Sequence, residues 1–276
     1  MIIGLDHIVL VVRDLTASAD RFSALLGVAP AWRTQEDGAS SVIFTLDNVS
    51  LELLAPGLAA PASEPIEAVL REDGEGLASL AFSVADLART HRRLANLGLE
   101  PEPMVAGSSH DVATGQPLTW NRTRTRHTHG LRAFLIALDA PRPHSPPTVS
   151  SPIRALERVI IRTADAERAA AFYGARLGLE MRLDQKMGPG RMMFFRCGEV
   201  TLEVLATPDA DPERDRLWGL TWRGDHMAAL HTRLSGAGFA VSELRQGRGP
   251  GTQIFTVRDG TNGVPTAVLQ PAPARS

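Results

Sequence analysis

The chain opens on a run of apolar residues, "HIVLVV" at 7–12, followed by Asp14 and then by Leu15, Ala19, Phe22 and Leu26 before Gly27. The β-branched run has the pattern of a buried strand, and the apolar residues after it fall on one face of a helix. Asp14 stands at the N-cap position and Gly27 closes the helix. Two more strands follow, the last reading "SLELLAP" at 50–56. The pattern therefore predicts a unit of strand, helix and about three strands.

The same unit returns at a constant offset of 151, which carries His7 to Arg158, Asp14 to Asp165, Phe22 to Tyr173, Gly27 to Gly178, Phe44 to Phe195 and Glu52 to Glu203 without a gap. A fixed offset over so many positions is the mark of an internal duplication. A second pair, "LAFSVADLARTHRRLANLGLE" (80–100) and "LTWRGDHMAALHTRLSGAGFA" (220–240), matches at an offset of 140. The fold class is thus α+β, with four βαβββ modules taken in two pairs. The first pair covers residues 1–138 (modules 1–57 and 75–138) and the second 153–272 (modules 153–208 and 215–272). Between them "DAPRPHSPPTVSSP" (139–152) reads as an extended linker, because proline cannot pair within a central strand. Segments 57–75 and 206–215 read as connectors, with one or two helical turns at 64–72.

Length and composition agree with a globular chain of about two domains: 276 residues, 43% hydrophobic and 22% charged. A formal net charge of −2 gives no electrostatic reason to expect nucleic acid or a membrane surface as partner. The single cysteine, Cys197 in "FFRCGEV", excludes an internal disulfide, fits a reducing compartment and reads as a core residue. The N-terminus lacks a basic leader and a cleavage site, and polar residues interrupt its apolar run, so the expected location is cytoplasmic. The "NRT" at Asn121 is then a chance sequon.

The modules opening on "GLDHIVLVVRDL", closing on "SLELLAP" and restarting on "EGLASLAFSVADL" resemble the vicinal oxygen chelate superfamily, which includes glyoxalase I, methylmalonyl-CoA epimerase, fosfomycin and bleomycin resistance proteins and extradiol dioxygenases. The resemblance covers nearly the whole chain. It implies two cupped mixed sheets with helices on their outer faces, and up to four inward side chains on a divalent metal that stabilises charge developing on a chelated substrate. By the same resemblance the first cup's ligand positions fall on His7, Glu52, Ser79 and Ala137, and the second cup's on Arg158, Glu203, Gly219 and Ala267. The first cup thus keeps two metal ligands, with Glu52 also the expected base, while the second is expected to hold no metal.

A third ligand has to come from elsewhere, and 106–130 reads as an insertion carrying His110, His127 and His129. His127 or His129 completes the site if that segment folds over the cup; the alternative is that both are exposed turn residues. The same segment contains "WNRTRTR". Strand alternation puts Trp120, Arg122, Arg124 and Arg126 on one face, a good site for a carboxylate, a phosphate or a flat anion. Otherwise the run is a solvated edge strand whose charges discourage aggregation. "RQGRGPGT" (245–252) lacks the ending of a phosphate loop and reads as a glycine-rich strand connection.

Where the first copy has His7 beside Glu52, the second has Arg158 beside Glu203, and a guanidinium brings its own positive charge. The expectation is a salt bridge that needs no ion, costing about 3–5 kcal/mol to break if fully buried. The expected function is a metal-assisted isomerase, lyase or epimerase acting on a small oxygenated, anionic metabolite in the first cup. The alternative is a metal-free binding or sequestering protein of bleomycin-resistance type, and a third reading is an extradiol-type dioxygenase. The expected partner is a small molecule, with neither nucleic acid nor membrane, and a homodimer is compatible with the sequence.

Overall fold

The structure is a computed structural model that describes residues 1–36, 38–57 and 62–272, so part of the 57–75 connector lies outside the described residues. The first sheet holds β1 (Ile2–Val11), β2 (Trp32–Gln35), β3 (Ala39–Thr45), β4 (Ser50–Pro56), β5 (Gly76–Val84), β6 (Val105–His110), β7 (Pro117–Thr125) and β8 (Arg132–Leu138). Their order is β2-β3-β4-β1-β5-β8-β7-β6. The second sheet holds β9 (Ala155–Thr163), β10 (Glu180–Met187), β11 (Gly190–Cys197), β12 (Val200–Ala206), β13 (Arg216–Arg223), β14 (Arg245–Gln246), β15 (Gln253–Val257) and β16 (Thr266–Gln270). It repeats the same order, β10-β11-β12-β9-β13-β16-β15-β14. Both sheets are mixed, since β5 with β8, β12 with β9 and β13 with β16 run parallel while the outer pairs run antiparallel. The segment 106–130 is not an insertion: it forms β6 and β7, the counterparts of β14 and β15.

The helices are α1 (Leu15–Leu26), α2 (Glu64–Glu72), α3 (Leu87–Asn96), α4 (Ala166–Ala170, continuing as π-helix over Ala171–Arg176) and α5 (Met227–Gly236). Two start as the sequence predicts, Asp14 and Asp165 accepting the amides of Ala17 and Arg168 at 2.9 Å each, and Asp86 accepts that of Arg89 at 2.8 Å in the same way. Gly27 ends α1 at φ 70, a left-handed conformation, with its amide on the Ser23 carbonyl. The fourth start differs, because His226 sits at φ 49 and caps α5 without a side-chain bond.

Contacts divide the chain into two compact units. The first comprises Met1–Val9, Leu77–Arg142 and Arg158–Trp218; within it α3 packs on β7 and β8, and α4 on β12. Arg93 of α3 there donates to the carbonyls of Ala175 and Arg176 at 3.2 and 2.8 Å, ending the π-helical turn with a cation. The second comprises Leu10–Gly76, Pro143–Glu157 and Gly219–Ser276, with α1 packed on β3 and β4. Arg233 of α5 donates to the carbonyls of Ala24 and Leu25 at 2.5 and 2.8 Å, the same device on the end of α1. The proline-rich segment is tied down in this unit, since Ala29 donates to Pro146, Thr148 to Gly27 and Ser145 to Thr45.

In each unit the helices cover one face of the strands. Val42, Phe44, Leu51 and Leu53 alternate towards α1, whose Ala19, Phe22, Leu25 and Leu26 are buried with them. Alternation therefore assigns Ile43 and Glu52 to the opposite face. The uncovered faces carry the polar side chains of interest.

Candidate functional site

In the first unit the register places the site residues. Across β5 and β8, Ser79 pairs with Arg132, Ala81 with Phe134 and Ser83 with Ile136; across β7 and β8, Trp120 pairs with Leu138, Arg122 with Ile136 and Arg124 with Phe134. Directly paired residues share a face. The alternate positions, Leu80, Phe82, Thr123, Thr125, Ala133 and Leu135, are buried on the side that α3 covers. Ser79, Arg132, Phe134, Arg122, Arg124 and Trp120 thus share the helix-free face. Ala137, paired with Asn121, has the opposite parity, so the ligand position expected there faces the helix side.

Two guanidiniums stand over the Phe134 ring, Arg122 at 5.5 Å and Arg124 at 6.0 Å from its centroid. Both arginines are exposed, and neither guanidinium has a carboxylate or hydrogen-bond partner among the described residues. Beside them the Trp120 indole lies across Gly107, where a Cβ would come within 2.4 Å of Nε1. Arg126 does not join this face. It lies beyond the end of β7, where strand alternation no longer applies, and its Nε is 3.3 Å from Glu102.

The candidate third ligands are placed elsewhere. His127 has Nδ1 3.2 Å from the Gly98 carbonyl and Nε2 3.5 Å from Glu100. His129 takes φ 49 in the turn before Gly130, a backbone position that Asn262 fills in the last module. His110 is exposed at the end of β6. Among the described residues, no three His, Cys, Asp or Glu side chains come together as a donor set.

His7 lies in the first unit, and Nδ1 of its ring is 2.6 Å from Oδ1 of Asp6. The same Asp6 oxygen takes Nη1 of Arg142 at 2.6 Å. Burial alone would raise the Asp6 pKa, but the bonds and charges of His7 and Arg142 outweigh it and hold the carboxyl below its usual range. Sequence reasoning missed both Asp6 and Arg142. Glu52 belongs to the second unit, in register with Ile43 and, beyond it, Trp32, both buried.

At the corresponding positions of the second sheet, Arg158 Nη1 is 3.1 Å from Glu203 Oε2, and the guanidinium lies 4.8 Å from the Phe194 ring centroid. A second polar cluster lies under α4. Arg168 donates to Asp215 and, at 2.8 Å, to Thr163. Burial first, and then the Asp215 charge, pushes the Tyr173 phenol well above its ordinary value of 10.0. The only trace of this cluster in the sequence is a tyrosine where the first copy has Phe22.

A family model described as a glyoxalase-like domain matches residues 5–178. The chain belongs to that family. A model of the glyoxalase/bleomycin resistance protein/dioxygenase superfamily also matches, over 155–264. No curated protein matches. Among solved structures, a variant of 4-hydroxymandelate synthase from Streptomyces coelicolor superposes with a TM-score of 0.74 at 15% identity, covering 100% of this chain and 95% of that one. A halotolerant catechol dioxygenase, BphC, gives 0.66 at 12% identity over 98% and 87%. A catechol 2,3-dioxygenase gives 0.63 at 18% over 99% and 90%. At these identities the likeness speaks for the fold, a two-cup glyoxalase-like architecture. No helix among the described residues is long and apolar enough to cross a membrane.

The superfamily's divalent metal can be tested against the donors present. Of the four carried-over positions, Ser79 and Ala137 supply neither imidazole nor carboxylate, and no group of three His, Cys, Asp or Glu side chains makes up the shortfall among the described residues. Transition metals in proteins generally take three or more such donors. The described residues of this glyoxalase-like chain do not make that set.

Proposed function

We propose that the chain binds a small, oxygenated organic anion on the helix-free face of its first sheet and does so without a metal. The observation that carries this reading is the pair of guanidiniums, Arg122 and Arg124, held over Phe134 with no carboxylate of their own among the described residues. Like charges side by side repel, and an arginine held on a phenyl ring keeps bidentate donors pointing away from it. An anionic ligand supplies the missing counter-charge. This is the binding or sequestering reading, and it is favoured over a metal-assisted isomerase, lyase or epimerase because the donor set falls short.

Calorimetric titration with small hydroxy- and keto-carboxylates and with phosphate tests it. Binding should weaken about tenfold or more in Arg122→Ala or Arg124→Ala, the loss of a charged hydrogen bond. Absence of binding by every anion, or binding unchanged in both variants, would refute it. A divalent metal found in stoichiometric amount in untagged protein would return the reading to metal-assisted chemistry.

A further inference from the structure

We infer that the anion taken by the helix-free face of the first sheet is an organic dianion, a short carbon skeleton bearing two negative charges, one for each of Arg122 and Arg124. The inference rests on the anion-binding reading above and adds the charge and the build of the ligand. Both guanidiniums lie within 6.0 Å of one ring centroid, that of Phe134. They belong to residues two apart on one face of β7, where a strand spaces alternate positions by about 7 Å. Strands β5, β6, β7 and β8 contain neither aspartate nor glutamate. Their third arginine, Arg132, has an interaction of its own. A single negative charge pairs with one of the two remaining guanidiniums and leaves the other uncompensated; two charges on one small molecule meet both. Val105, directly paired with Arg122 and 49% exposed, sets apolar surface beside the cations, and a carbon skeleton can cover it where a bare inorganic ion cannot.

Two comparisons within the chain separate this pair from charges that merely keep a sheet soluble. Charges of that kind belong on edge strands, and β7 is not one, because β6 lies outside it. The edge strand β10 shows the protective pattern, with Glu180, Arg182, Asp184 and Lys186 alternating in sign. The second sheet supplies the other contrast. Leu80 pairs with Ala133, and Leu220, its counterpart at the offset of 140, pairs with Thr266, so Phe134 corresponds to Ala267. Across the next strand Arg124 faces Phe134 while Thr256 faces Ala267, and Arg122 faces Ile136 while Ile254 faces Leu269. The backbone pairing is repeated, yet the ring and both cations are replaced together. They behave as one unit, present in the first sheet alone.

The test is calorimetric titration of the full chain at pH 8 with probes matched in size and differing by one charge: succinate against succinamate, and methyl phosphate against dimethyl phosphate. In at least one of these pairs the dianion should bind about tenfold or more tighter than the monoanion, the worth of a second charged hydrogen bond. The pair with the larger ratio identifies carboxylate or phosphoryl as the preferred group. The ratio should fall to within about twofold in Arg122→Gln and in Arg124→Gln, which keep hydrogen-bonding capacity and lose the charge, and should survive in Arg122→Lys. Both arginines are exposed, so all three variants should fold, which circular dichroism checks. Equal binding of dianion and monoanion in both pairs overturns the inference, as does a ratio unchanged in both glutamine variants, or inorganic phosphate binding as tightly as both organic dianions. Anion binding without preference for two charges overturns this inference alone, whereas no anion binding at all overturns the proposed function with it.

Discussion

Replacing Arg158 probes the second copy's central pair. Arg158→Ala removes a guanidinium from Glu203, whose side chain is only 14% exposed, while Arg158 is itself 30% exposed. Removing one partner of a fully buried pair costs about 3–5 kcal/mol. An exposed pair contributes about 0–1 kcal/mol. The exposures put this pair between those limits, at about 2 kcal/mol, because water still reaches the arginine and screens the charge. The stacking on Phe194 adds about 0.5–1 kcal/mol. Arg158→Ala should therefore destabilise by about 2.5–3 kcal/mol, below the value for full burial.

Arg158→Met keeps the apolar stem on Phe194 and should cost less, about 1.5–2 kcal/mol, since a thioether also packs well on a ring. A double-mutant cycle with Glu203→Gln isolates the charge pair. Its expected coupling is about 1–2 kcal/mol, measured by urea unfolding with circular dichroism and falling partly at high salt. A coupling within about 0.3 kcal/mol of zero would show that the charges are screened and that Arg158 acts through packing alone. Where the two units unfold in separate transitions, the one that moves in Arg158→Met reports the pair.

Gly107→Val should displace the Trp120 indole, destabilise by about 1–3 kcal/mol and shift tryptophan emission, because a Cβ already meets the ring at 2.4 Å. Cys197, 1% exposed with its thiol pushed up to about 12 by burial, should resist iodoacetamide at pH 8 in the native state and react on unfolding. Arg233→Ala should cost about 1–2 kcal/mol in thermal or urea unfolding through the uncapped carbonyls of Ala24 and Leu25, whereas the more exposed Arg93→Ala should cost less than about 1 kcal/mol.

Periodicity made the module legible because each strand and helix has one buried face, and that constraint acts on every second or every third and fourth residue. Asp14 and Asp165 could be placed for the same local reason, since a cap acts within three residues. Register was not legible. Ala137 was expected to face the cup because it matched a motif by spacing, yet its partner across the sheet is Asn121, and only pairing fixes the face of an edge-side strand. Arg126 failed similarly: alternation holds only while the strand lasts, and β7 ends at Thr125. The couplings from Arg93 to residues 175 and 176 and from Arg233 to residues 24 and 25 were likewise hidden, although the offset of 140 relates the two arginines. They join elements far apart in the chain, and no local pattern records that.

The exchange of His7 for Arg158 becomes intelligible through the residues before them. Both copies place an acid there, Asp6 and Glu157, and both acids already have an arginine, Arg142 and Arg223. A histidine beside such an acid can share its oxygen, because a ring N–H is neutral and asks for one acceptor. A guanidinium beside it cannot, since it brings a full charge and needs a carboxylate of its own; Glu203 supplies it. The swap therefore turns one polar contact by a strand's width: in the first copy the ring is held from the acid beside it, and in the second the cation is held from the neighbouring strand. Arg142 lies in the proline-rich 139–152 segment, outside the modules, whereas Arg223 lies on β13, where the offset of 140 puts Ser83 in the first copy. The two acids thus take their arginines from places that the duplication does not relate, which is why the repeat alone could not reveal the pairing of Asp6 with Arg142.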